Sequence, residues 1–197
     1  MIWWARSRAL ALLTAVTLLT VLAGIAVGDT QLPLPAFRSG TGVFVLAGMS
    51  TVVPAVLWVA MTGRIGPVTE ATAVRPVHRY DALAAAGPAA FALALGVAGH
   101  EAGAGAAGIA LATGRNTALY FGLALLLVPL VGHRAAAPLT VAFPMVCGAA
   151  GSTAGGADPW ALVLWPGTHA GAFAAAVGLT AAGCALGLLR PPRTPGH

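Results

Sequence analysis

Along this chain, long apolar runs alternate with short polar interruptions, and the runs are too long for the strands or helices of a soluble domain. A transmembrane helix needs about 20 mainly apolar residues to cross a hydrocarbon core of about 30 Å. Residues 9–28 meet this without a charge, and 41–61 meet it again after a loop holding Pro33, Pro35 and Arg38. Further runs lie at 82–99, 104–132, 135–151 and 170–189. The pattern predicts an all-α integral membrane protein, with a single polytopic domain over 1–197 built as a bundle of about six transmembrane helices. A charged head followed by an apolar run at the N-terminus has the layout of a signal peptide. The run of about 20 residues exceeds a usual signal core, and more runs follow, so a retained first helix is expected.

Composition strengthens this picture. Hydrophobic residues make up 58% and charged residues 8% of the chain, where soluble domains carry about 25% charged residues. The mean hydropathy is +0.88. Little chain remains for a soluble catalytic or nucleotide-binding domain. The formal charge is +5, and all ten basic residues are arginines. They are scattered between apolar runs instead of clustered on a wet face, which argues against nucleic-acid binding. Abundant Ala and Gly without Lys fits coding by a GC-rich, bacterial genome, and so a multi-pass protein of the plasma membrane.

The arginines also predict orientation, because cytoplasmic loops are enriched in them. With the N and C termini cytoplasmic, Arg6, Arg8, Arg64, Arg75, Arg79, Arg134, Arg190 and Arg193 lie inside and only Arg38 and Arg115 outside. The stretch 82–134 then begins and ends inside and holds an even number of crossings, most economically two. Residues 102–116 become an outer extension of the fourth helix or a partly inserted segment, interrupted by Arg115 and Asn116. Gly103, Gly105 and Gly108 would let helices approach closely there. Prolines at 54, 88, 129, 138 and 144 each remove a helix hydrogen bond and invite a kink.

Three constellations could carry chemistry. The first is the cytoplasmic stretch with Glu70, Arg75, Arg79 and Asp81. Residues 69–74 could form a short amphipathic helix ended by Pro76, an exposed polar handle for a soluble partner, or else a solvated loop that holds topology. The second is the outer stretch before the last run, with Trp160, Trp165 and Pro166. Indoles favour the membrane interface, so this segment either anchors the last helix or lines an outer gate. The third is His100–Glu101, an adjacent titratable pair and a possible polar membrane site. It lacks the helically spaced partners a proton relay or metal site would want, and no metal site is expected. Cys147 and Cys184 lie within apolar runs and read as packing residues. The sequence holds no GxSxG, HExxH or GxxxxGK[ST], so no catalysis, and no ATP hydrolysis by this chain, is expected.

Six runs with both ends inside, and a charged loop between the second and third, resemble the six-helix permease subunits of ATP-binding-cassette exporters. The run from Glu70 through Ala73, Arg75 and Pro76 to Arg79 is similar to stretches in small actinobacterial membrane proteins of that kind. So are Arg115–Asn116 followed by Gly122, and the Asp158, Trp160, Trp165–Pro166 cluster. The resemblance implies a homodimer or heterodimer of permease subunits in membrane lipid, with no cofactor bound by this chain. A separate cytoplasmic ATPase would use ATP, docking on the loop at Glu70–Asp81, and a short re-entrant segment would lie between the fifth and sixth spans. A non-catalytic membrane anchor or accessory subunit of a larger complex is the alternative, and a small intramembrane enzyme or ion-coupled carrier using His100 and Glu101, with Asp158 as a further candidate, a third.

Overall fold

A computed structural model of the chain describes residues 9–34, 42–64, 77–105, 108–153 and 156–189. Helix α1 spans Leu10–Val27 and is followed by strands β1 (Gln31–Leu34) and β2 (Gly42–Val45), paired antiparallel. Helices α2 (Leu46–Ser50) and α3 (Val53–Gly63) come next, then α4 (Val77–Glu101) and α5 (Ile109–Ala150). Strands β3 (Ser152–Thr153) and β4 (Gly156–Ala157), a 3₁₀ turn at Leu162–Leu164 and helix α6 (Ala170–Leu189) complete the order.

The architecture is helical, with two short hairpins that the apolar pattern did not anticipate. Among the described residues, five helices are long and apolar enough to cross a membrane, the second being α2 and α3 taken together over Leu46–Gly63. The interruption in that second helix has a local cause. Pro54 stands in the first turn of α3, so it offers no N–H to the carbonyl one turn earlier. Nearby hydroxyls turn back onto the helix instead, Ser50 Oγ donating to Ala47 O at 3.0 Å and Thr51 Oγ1 to Gly48 O at 2.8 Å. Helix α4 begins at Val77. Arg79 and Asp81 therefore lie on α4, whereas Glu70 and Arg75 fall outside the described residues.

The 42 residues of α5 comprise two helical stretches that meet at a kink. Gly132 has φ 78° and ψ 165°, a conformation open essentially to glycine alone. On a straight helix, residues 116 and 151 would lie about 50 Å apart. Instead, Asn116 bonds the carbonyl of Val163, while Gly151 packs on Ala161 and its carbonyl accepts from Asp158 N–H at 2.8 Å. Residues 161 and 163 are at most about 7 Å apart, so α5 doubles back at Gly132. The turn sits beside the end of α3, since a Cβ on Gly63 would lie 2.9 Å from His133 Cβ.

Small residues let the helices meet closely. A Cβ on Gly96 of α4 would lie 2.8 Å from Ala110 O, and one on Gly122 of α5 would lie 2.7 Å from Thr180 N of α6. Such contacts suit a lipid setting, where helix association relies on packing and interhelical hydrogen bonds. Thr180 Oγ1 adds one of these, donating to Ala118 O at 3.0 Å. Gly103, Gly105 and Gly108 have positive φ in the α4–α5 connection and turn the chain there; Gly96 and Gly114 make the close helix crossing.

Candidate functional site

The first turns of α5 carry a dense polar run in an apolar helix. Thr113 and Thr117 hide their hydroxyls by donating to the carbonyls of Ile109 (2.7 Å) and Thr113 (2.9 Å). Arg115 and Asn116 are too long for that device, yet they are only 1% and 2% exposed. An unpaired buried charge is costly, so where their donors go decides what this end of the bundle does.

They go to one segment. Arg115 Nη1 donates to Pro166 O at 2.8 Å, and Nη2 donates to Trp165 O at 2.9 Å. Nε and Nη2 both donate to Asn116 Oδ1, at 3.2 and 3.0 Å. Asn116 Nδ2 in turn donates to Val163 O at 3.4 Å. Two adjacent residues of α5 thus hold three carbonyls from 163–166. All of the Arg115 acceptors are neutral oxygens, and among the described residues no carboxylate pairs with it.

The held segment is shaped to present those carbonyls. Asp158 O accepts from Ala161 N–H at 3.0 Å and from Trp165 Nε1 at 3.1 Å, which folds the stretch on itself. The 3₁₀ turn at Leu162–Leu164 follows, and Trp165 is extended with ψ 146°. Gly167 then packs against the backbone of Gly108, at the start of α5. The rings of Trp165 and His169 lie 4.1 Å apart between centroids. His169 Nδ1 accepts from Ala172 N–H at 3.3 Å, and so caps α6. One turn further along α5, Tyr120 Oη donates to Gly48 O at 3.1 Å and ties the same face to α2.

A cavity of about 330 Å³ lies between α2, the start of α5 and the held segment. Ala47, Ile109, Ala112, Asn116, Val163 and Trp165 are among its lining residues.

The residues singled out from sequence are distributed as follows. Trp165 and Pro166 lie at the clamp, acting through their backbone carbonyls. Trp160 is 44% exposed, which suits an interface anchor. His100 and Glu101 are the last, exposed residues of α4. No group of three or more His, Cys, Asp or Glu that could hold a metal occurs among the described residues. Arg79 is exposed and Asp81 buried in the opening turns of α4, at the far end of that helix from His100. Reading Arg115–Asn116 as an interruption missed the centre of the site. The available signal was an ionisable residue beside an amide, next to a long apolar run.

Comparison with protein-family models, with curated proteins and with solved structures finds no match. Function therefore rests on the geometry.

Proposed function

We propose that this chain is the membrane permease subunit of an ATP-binding-cassette type exporter, driven by a separate ATPase. The observation that carries the reading is the segment 158–167, folded back into the bundle end between the last two helices and held there by buried Arg115 and Asn116. Outlying backbone at membrane depth is tolerated where protein buries it, and such a plug suits a path that must be closed at rest.

In this reading the turn at Gly132 divides α5 into two crossings, 109–131 and 133–150, and the chain crosses six times with both termini in the cytoplasm. Arg64 follows α3 and Arg134 follows the Gly132 turn, and the two sites adjoin through Gly63 and His133. Two arginines at that end support reading it as the cytoplasmic face. Burial of Arg115 removes it from the outer loops and sharpens the bias. The clamped segment and the hairpins then face outward. The stretch from Glu70 through Arg75 and Arg79 to Asp81 faces the ATPase, and a second permease subunit completes the path.

Purification from the cells that make the protein, in mild detergent, tests this. A tagged chain should bring down an ATPase carrying a phosphate-binding loop, and the reconstituted complex should transport only with ATP. Charge reversal at Arg75 and Arg79 should uncouple the ATPase and abolish transport. A stable complex that assembles through this loop but transports nothing would instead make the chain an accessory membrane subunit.

A further inference from the structure

The Arg115–Asn116 pair sets a chemical polarity on the cavity beside it. Arginine has donors only, so the Asn116 amide is fixed with Oδ1 toward the guanidinium, where it accepts two hydrogen bonds. Its Nδ2 is left on the other side of the amide, and both Asn116 and its acceptor residue Val163 line the cavity. One Nδ2 hydrogen makes the long 3.4 Å bond to Val163 O, and the other has no acceptor among the described residues. Asn116 is therefore a buried donor in want of an acceptor. The Arg115 charge polarises it, and no acidic side chain among the described residues lines the cavity to neutralise that charge. The remaining wall is mixed, with apolar side chains from Ala47, Ile109, Ala112, Val163 and Leu164 beside the polar Thr113 and Ser152. A volume of about 330 Å³ is at the small end of ligand pockets.

We propose that this cavity binds the anionic oxygen end of an amphipathic molecule, a carboxylate or phosphate. Asn116 Nδ2 donates to the oxygen, Arg115 supplies the counter-charge from behind the wall, and the apolar residues cover the adjoining hydrocarbon. A neutral molecule of the same shape fills the apolar wall but gains nothing from the buried charge, so the site selects for the anion. The inference concerns binding by this chain alone and stands whether or not an ATPase partner exists.

The test is equilibrium binding of radiolabelled decanoate to the purified chain in phosphatidylcholine nanodiscs, with empty discs subtracted. Saturable binding should be displaced by unlabelled decanoate and not by decanol. Asn116→Asp keeps an oxygen on Arg115 and forms an ion pair with it, so this variant should unfold at the same or a higher temperature. It should lose decanoate affinity at least tenfold, because the donor is gone and the charge is cancelled. Ala112→Phe, which fills the cavity one turn before Asn116 and leaves both residues of the pair in the sequence, should also abolish binding. If phosphatidylglycerol in the discs competes with decanoate, the bound anion is a lipid headgroup; if it does not, the anion is a freely diffusing one. Absence of saturable binding, equal displacement by decanol, or undiminished binding in folded Asn116→Asp or Ala112→Phe would overturn the proposal.

Discussion

At the scale of residues, the molecule turns on how a buried guanidinium is satisfied without a carboxylate. Arg115 uses four hydrogen bonds to neutral oxygens, and two of these tie down the backbone at 165 and 166. Replacing it by Met would leave Trp165 O and Asn116 Oδ1 without these donors, while Pro166 O would still accept from His169 N–H. Loss of two buried acceptors' partners costs on the order of 3 kcal/mol, so Arg115→Met should lower the thermal unfolding midpoint in detergent. Lysine keeps the charge but cannot reproduce the planar fork, and Arg115→Lys should recover only part of the loss. The looser segment should also be readable directly. A cysteine at the buried position Val163 should react with a maleimide severalfold faster in the Arg115→Met background. Equal rates would mean that other contacts hold the segment.

At the scale of elements, glycine determines where helices touch and where one turns. A β-carbon on Gly122 would stand 2.7 Å from Thr180 N, on the backbone of α6, which cannot yield as a flexible side chain would. Gly122→Val should push α6 off α5, lowering stability by about 1–3 kcal/mol, the usual range for overpacking. Gly132→Ala meets open space, with no atom within 4 Å of its β-carbon. Its cost is instead torsional, about 1–3 kcal/mol for a residue forced into this region of backbone space. The two variants thus destabilise for different reasons. A second substitution separates them: Thr180→Ala, which removes the Ala118 bond at the same contact, should be non-additive with Gly122→Val and additive with Gly132→Ala. Additivity in both cases would detach Thr180 from the α5–α6 crossing.

For the whole molecule, the prediction is topology. If α5 makes two crossings, positions 64 and 134 share one face of the membrane, and positions 104 and 156 share the other. With Cys147 and Cys184 replaced, single cysteines at these sites should label in pairs with a membrane-impermeant reagent, 104 and 156 from outside intact cells and 64 and 134 only after lysis. Labelling of 134 together with 156 would break the hairpin reading of α5 as two crossings. Reaction of 64 from outside would reverse the orientation.

Membrane character was legible from the sequence because it is additive: with 8% charged residues, no arrangement of the chain could cover itself in a wetted surface. Arginine bias is additive in the same way, each loop contributing its charges without reference to its neighbours, so an orientation could be argued from it. The role of Arg115 could not be read like this. A lone charge in an apolar run looks the same whether it sits in a loop or is buried, and the difference lies in carbonyls some 50 residues away. The sharp turn at Gly132 was hidden for a similar reason: a glycine in an apolar run costs little to write, and its backbone angles follow from the packing of both halves of α5 against the rest. Sequence alone determined that the chain belongs in a membrane. Tertiary structure decided that its most polar helical turn is the clamp on the segment between the last two helices, because the satisfaction of a buried charge depends on partners that only folding brings together.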